Sequence, residues 1–398
     1  MSTLNELKDA VYRCHHCRAC NLTDSDEIGW HKVCPTYEAY PFEHYAAGGR
    51  NAIVRAWFEG LVEQPEGIVE AIYSCLGCGS CREICQAYTE IPFPMPDGVD
   101  TPRIMRAMRS ELAAGGYAPE AIKKLDLEVE KTKNAFGGDQ AVKKKFSEEM
   151  GLPAKGETLF FAGCSSLFKD HKHTAEATVK ILSAANAGPA FLGEQEWCCG
   201  ILQYANGNME LCKELVTHNL AAIKESGAER VVTNCAGCFH ALSTIYPRIA
   251  GEELPFQVLH TTQYLSQLLN EKKIAFTKEV QATVTYHDPC HLGRGSKVYE
   301  EPRDVLKQIP GLTLMEMEKS REQAWCCGGG EGIVSLAYPK LTANIAKERI
   351  RQARETGAEA IVTTCPHCHS VLGTAAKSEG EQTALDCKDL IDLAAEAL

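Results

Sequence analysis

Eighteen of the twenty cysteines in this 398-residue chain fall into ordered groups, and no other feature limits the fold as strongly. Near the N-terminus Cys14, Cys17 and Cys20 are followed by Cys34-Pro35, and Cys75, Cys78 and Cys81 are followed by Cys85. Further along, Cys164, Trp197-Cys198-Cys199-Gly200 and Cys235-Ala-Gly-Cys238 are matched in order by Cys290, Trp325-Cys326-Cys327-Gly328 and Cys365-Pro-His-Cys368. The opening MSTLNELKDAVYRC has neither a basic n-region nor an apolar h-region, so these thiols are expected in a reducing cytosol, where stable disulfides are rare. Spacing this regular points to metal. Cys212 and Cys387 stand outside the groups, in helix-like stretches, and read as buried structural thiols.

Zinc fits the spacing poorly. Tetrahedral zinc sites take two C-x-x-C pairs, which leaves the third cysteine of each N-terminal triplet without a role, and five sulfurs in each duplicated group exceed one zinc's needs. Three thiolates two residues apart can instead wrap one face of an iron-sulfur cubane, with the fourth ligand arriving from distant chain. A zinc-stabilised scaffold would give a colourless protein. The two N-terminal runs resemble those of two-cluster bacterial ferredoxins, in which the fourth cysteine of each run ligates the other cluster. That resemblance implies one [4Fe-4S] cubane on Cys14, Cys17, Cys20 and Cys85, and a second on Cys75, Cys78, Cys81 and Cys34. The runs are separated by a helix-like stretch, Ala46 to Val62, with Ile53, Trp57, Phe58 and Leu61 apolar, as in the helical ferredoxin variant of larger oxidoreductases.

Pro92, Pro94, Pro96 and Pro102 mark Ala87 to Arg103 as a boundary loop. From Pro102 to Met150 an Ala-, Lys- and Glu-rich pattern predicts two or three surface helices, with Lys143 to Lys145 on a solvated face. Beyond Gly156, short apolar runs at 158–161, 230–233, 282–286 and 360–363 read as buried strands between alanine-rich helices. Glu-Ser-Gly-Ala-Glu-Arg-Val-Val-Thr-Asn-Cys235 matches Glu-Thr-Gly-Ala-Glu-Ala-Ile-Val-Thr-Thr-Cys365 at an offset of 130 residues, which exposes a duplication. The expected fold is an α/β duplicated cysteine-rich domain preceded by a mostly helical two-cluster ferredoxin domain. Its expected divisions are 1–100 (ferredoxin-like), 101–155 (helical linker), 156–275 (first repeat) and 276–398 (second repeat).

The paired C-x(n)-CCG-x(n)-C-x-x-C motifs resemble the cysteine-rich domain of the heterodisulfide reductase catalytic subunit. A ferredoxin domain followed by two such repeats is that family's fused arrangement, so the resemblance covers nearly the whole chain. Related domains occur in iron-sulfur subunits of glycolate, lactate and anaerobic glycerol-3-phosphate oxidoreductases. The resemblance implies two noncubane [4Fe-4S] clusters, one on Cys164, Cys198, Cys199, Cys235 and Cys238 and one on Cys290, Cys326, Cys327, Cys365 and Cys368, with a disulfide reduced between them. It also implies other redox subunits as partners, whether a flavoprotein, a ferredoxin-like protein or a membrane cytochrome subunit. A small-molecule disulfide or a quinone would be the substrate. The alternative is a non-catalytic relay between a flavoprotein dehydrogenase and a quinone or another iron-sulfur partner.

Other signals are weaker. His287 and His291 flank Cys290 and are the candidate proton donors; hydrogen bonding to cluster sulfurs or backbone is the plainer role. Trp197 and Trp325 read as packing that shields a cluster from water. Cys365-Pro-His-Cys368-His369 imitates a c-type haem signature, but haem attachment needs an exported compartment. Gly328-Gly-Gly330 follows cysteines rather than a strand and reads as close backbone approach to a cluster, not a phosphate loop. A net charge of -12 with no basic patch argues against nucleic acid. No run of about 18 apolar residues occurs. A cytoplasmic protein is expected, with any attachment to the inner membrane made through a partner subunit.

Overall fold

The computed structural model describes residues 3–25, 29–87, 98–168, 171–378 and 385–398. Most of the proline-marked boundary loop, with Pro92, Pro94 and Pro96, lies outside the described residues. The chain divides into two compact units, Met1–Lys124 with Leu202–Met209 and Glu318–Arg349, and Leu125–Ile201 with Glu210–Met317 and Ile350–Leu398.

The first unit is mainly helical, with one small antiparallel hairpin, β1 (Leu22–Ser25) against β2 (Gly29–Lys32). Its helix Ala47–Phe58 lies inside the predicted stretch but buries a different face. Val54 is fully buried together with Arg50 and Asn51, whereas Leu61 lies beyond the helix and is exposed. Polar partners decide this orientation. Arg50 Nε donates to the Ala71 carbonyl at 2.7 Å and Nη2 to Ser74 Oγ at 3.1 Å, while Asn51 Nδ2 donates to Thr101 Oγ1 at 3.0 Å. Helix Thr101–Ala114 starts at Asp100, whose side chain caps the Arg103 N–H, with Pro102 in the first turn. Far from being a surface helix, it buries Ile104, Met105, Met108, Arg109 and Leu112.

The second unit carries two four-stranded parallel sheets of the same strand order. The first runs β4 (Pro189–Ala190), β3 (Thr158–Phe160), β5 (Arg230–Thr233), β6 (Gln257–His260), and the second runs β8 (Leu312–Leu314), β7 (Ala282–Tyr286), β9 (Ala360–Thr363), β10 (Asp386–Asp389). β-branched residues make up the last three positions of the central strands β5 and β9, and all six are buried, as fits strands covered on both faces. Gly227 and Gly357, both at φ 74°, end the helices before these strands in the left-handed conformation that glycine takes without a Cβ penalty.

One core cluster joins both repeats, with Ile181, Leu265 and Leu268 packed with Val284, Val305, Leu306, Leu390 and Ile391. In each sheet the chain leaves the first strand for one neighbour and returns on the other side. The switch points therefore lie between β3 and β5 and between β7 and β9, and their carboxyl ends are where such sheets bind ligands. Ile361→Ala, in the fully buried centre of β9, is expected to lower stability by about 2–5 kcal/mol. Leu127→Ala, on an exposed helix position, should stay within about 0.5 kcal/mol. Denaturant midpoints of the two variants check the contrast.

Candidate metal centres

In the first unit the thiols sit on tightly wound segments. Cys14, Cys17 and Cys20 follow the short helix Lys8–Tyr12 on a coil in which His16 and Arg18 take left-handed conformations, at φ 53° and 66°. Cys34 precedes helix Pro35–Ala39, and Cys75 to Cys81 turns at Gly77 and Gly79 into helix Ser80–Ala87, which carries Cys85. Cys34, Cys75, Cys78 and Cys81 line one small cavity. Cys34 lies beside Cys78 and Cys75, and Cys85 lies beside Cys17 and Cys14. Burial pushes the Cys20 thiol up to about 12 and Cys81 well above its ordinary value, and neighbouring cysteines add to both shifts. Sulfurs that burial and one another keep from ionising suit a polyvalent iron core, because coordination by a cation removes the thiol proton outright.

The same unit contains the second CCG motif. Gly328 sits at φ 93°, and a Cβ there would stand 2.7 Å from the Thr342 carbonyl oxygen. The motif's glycine is therefore a steric necessity. The Gly328 and Gly329 N–H groups donate to Cys326 and Cys327 Sγ, each at 3.4 Å, and Trp325 beside them is buried. Gly330 approaches Val334 and Leu76, and Gly77 lies against the Glu331 carboxylate. That carboxylate is fully buried, pairs with Arg106, and lies 3.7 Å from Arg109 Nη1. Arg109 in turn donates to the carbonyls of Ile72, Cys75 and Ala205. An ion cluster thus fixes the backbone of the Cys75 turn relative to the residues just after Cys327.

The second unit holds the complete first set. Cys164, Cys198, Cys199, Cys235 and Cys238 are all buried at the carboxyl ends of β3, β4 and β5. Their thiols touch in series: Cys164 with Cys198, Cys198 with Cys199, Cys199 with Cys238, and Cys238 with Cys235. The series crosses into the second copy, where Cys235 meets Cys365 and Cys365 meets Cys368. Hydrogen bonds from Cys198 and Cys238 hold Cys199 down at about 6, and those from Cys235 and Cys368 hold Cys365 well below its ordinary value. Gly163, at φ 72°, precedes Cys164, and a Cβ there would lie 2.7 Å from Cys238 Sγ. Asn219 steadies the CCG turn: its Oδ1 accepts from the Trp197 N–H, and its Nδ2 donates to the Cys198 carbonyl and to Tyr246 Oη, each at 3.0 Å.

Of the remaining candidates, Cys290 is half-buried and follows β7. His287 is fully buried, and His291 stacks on His240 with ring centroids 4.9 Å apart and planes 4° apart. Between them, Asp288 accepts two hydrogen bonds from Arg303, at 2.7 and 2.9 Å. Sequence reasoning missed His260. At the end of β6, fully buried, it faces the backbone of Thr364 and Asn234, the residues before Cys365 and Cys235, and burial lowers its pKa to about 4.

A 4Fe-4S dicluster domain model matches residues 7–88, and a cysteine-rich domain model matches residues 158–243 and 284–373. The chain is 34% identical to a subunit of the dihydromethanophenazine:CoB--CoM heterodisulfide reductase of Methanosarcina barkeri, over 98% of this chain and 94% of that one. The chain belongs to the family of that heterodisulfide reductase subunit. Its counterpart in Methanosarcina mazei is 32% identical over 92% of this chain and 91% of its own. An EtfAB:quinone oxidoreductase of Syntrophomonas wolfei is 31% identical over 79% of this chain and 45% of its own. This member of the heterodisulfide reductase family is accordingly an iron-sulfur electron-transfer protein, an oxidoreductase that works as part of a complex with other redox subunits. Among the described residues no helix is long and apolar enough to cross a membrane.

Two expectations need correction in this family member. Lys143 is not on a solvated face: it is fully buried and paired with Glu196, while Lys144 and Lys145 are exposed. Cys387 lies on strand β10 rather than in a helix and is half-buried, whereas Cys212 is buried; desolvation pushes both thiols up to about 12. The haem-like signature finds another use, since His369 Nε2 bonds the Cys387 carbonyl at 2.9 Å. Trp197 is half-buried and stacked on His218 with centroids 3.4 Å apart. Glu331→Ala leaves Arg106 and Arg109 as buried cations without their carboxylate and is expected to cost about 3–5 kcal/mol, read as a lowered thermal midpoint.

Proposed function

We propose that Cys14, Cys17, Cys20 and Cys85, and Cys75, Cys78, Cys81 and Cys34, would hold two [4Fe-4S] cubanes that would supply single-electron transfer. Cys164, Cys198, Cys199, Cys235 and Cys238, and Cys290, Cys326, Cys327, Cys365 and Cys368, would hold two noncubane [4Fe-4S] clusters that would exchange electrons with the cubanes for the reduction of a disulfide. The observation that carries this reading is the unbroken buried series of thiols from Cys164 to Cys368, because it brings ligands of the two proposed noncubane sites into contact. When bound, the clusters supply one-electron steps that add up to the two electrons a disulfide needs. Cleavage of RS–SR′ consumes two electrons and two protons and releases RSH and R′SH.

The chain's own side chains do the rest. Buried Trp325 keeps water from Cys326, and Arg303 fixes Asp288 beside His287. His287 and His291 deliver the two protons. The partners are a flavoprotein, a ferredoxin-like protein or a membrane cytochrome subunit, with the protein in the cytoplasm and at the inner membrane only through such a subunit. The similarity to an EtfAB:quinone oxidoreductase favours a second reading, a relay that passes electrons to a quinone without disulfide chemistry.

Iron and acid-labile sulfide on anaerobically purified protein should reach about 16 irons per chain. Adding a thiol to the oxidised sample should produce a new EPR signal, which the relay reading does not expect. About eight irons with only ferredoxin-like signals would sink the proposed noncubane sites. Cys85→Ser should lose about four irons and the signal of one cubane, whereas Cys212→Ser should keep the full count. If Cys85→Ser retains every signal, the crossed ligand assignment is wrong.

A further inference from the structure

Lys143 is among the most deeply buried cations of the second unit, and nothing in the proposed electron path uses it. It comes from helix Ala141–Met150, anchored through Phe146, whose ring meets Phe191 edge-on at 5.5 Å. Its Nζ donates to Glu196 Oε1 at 2.9 Å and to the Glu196 carbonyl, and both side chains are wholly shielded from solvent. The Glu196 carboxylate also accepts from the Ala162 and Gly163 N–H groups, each at 2.9 Å. The pair is thus fastened one residue before Cys164 and two residues before Cys198.

The other repeat does not carry a second copy of this arrangement. Ala324 stands before its Trp-Cys-Cys-Gly motif where Glu196 stands in the first, and Lys143 precedes the duplicated segment altogether. Where the first copy has Ala162, the second has Asp288, bound by Arg303, which is also held by Glu316 at 2.6 and 3.0 Å. The cation there is shared between two carboxylates, whereas Lys143 answers to one carboxylate and to sulfur. Burial works against the ammonium, but Glu196, Cys164 and Cys198 overcome it and keep Lys143 above the ordinary lysine range.

We propose that Lys143 is the counter-cation of the first cysteine-rich site and makes a cluster held there easier to reduce than it would be without that charge, so that the two sites differ in potential. The proposal rests on the reading that Cys164, Cys198, Cys199, Cys235 and Cys238 hold a cluster. Reduction adds negative charge to an already anionic centre, and a fixed cation in a dry interior acts on it with little screening by solvent or salt. Lys143 is a positioning and tuning residue in this role, not a catalytic one.

The test is an EPR-monitored redox titration of the full chain with its clusters, with iron counted in each sample. Glu196→Gln should move one cysteine-rich-site signal to higher potential. Adding Lys143→Met to it should bring that same signal back to lower potential, with the cubane signals unmoved. Lys143→Arg should keep the wild-type potential. Wild-type protein without cysteine-rich-site signals would remove the underlying reading. Signals present and iron complete, but no potential difference between Glu196→Gln and the double variant, would overturn the proposal and leave the pair as a staple of the Gly163 turn. Should the double variant lose iron, Lys143→Gln in the Glu196→Gln background makes the same comparison.

Discussion

Everything in this chain answers to the difficulty of packing many sulfur ligands into a dry interior. A buried thiolate is penalised by desolvation and by every thiolate beside it, and the first unit shows both penalties in the raised Cys20 and Cys81. The second unit relieves part of the problem by letting thiols donate to one another, which is how Cys199 and Cys365 become acidic while fully buried. Iron relieves the rest. Short parallel strands suit the task because they end abruptly, so Cys164, Cys235, Cys238, Cys290, Cys365 and Cys368 follow strand ends without long loops to order.

The duplication is faithful in topology and unequal in chemistry. Both sheets keep the same strand order, and both glycines before β5 and β9 hold the same left-handed angle. The helix after Cys238 nevertheless passes through a π-helical turn, Ala241–Ile245, while its counterpart after Cys368 stays α-helical from Pro366 to Lys377. Such turns insert a residue and re-aim the side chains beyond it. Together with Lys143 and Arg303, they give two related scaffolds different local fields.

The features legible in the sequence were those that repeat or keep a fixed spacing. The cysteine groups, the central strands β3, β5, β7 and β9 and the α/β alternation all have local signatures. The outer strands β4, β6, β8 and β10 do not: two to four residues long, with a proline in β4 and an acid at each end of β10, they carry no long apolar run. They form because a neighbouring strand already offers its edge. Long-range polar pairs were invisible for a different reason. Lys143 and Glu196 are 53 residues apart, and Arg106 and Glu331 are 225 apart. Nothing near Lys143 in sequence separates it from the solvated Lys144 and Lys145.

The touching thiols also govern how the protein is made. Before metal arrives, Cys365 is held acidic against Cys235 and Cys368, and Cys199 against Cys198 and Cys238, so each is a ready nucleophile beside another sulfur. An oxidant reaching these thiols in the folded, metal-free chain would join such neighbours as disulfides, a dead end for metal insertion. Maturation is therefore a race between cluster delivery and oxidation. The compact burial that protects these sulfurs from an oxidant also narrows the way by which iron reaches them at the carboxyl ends of the strands.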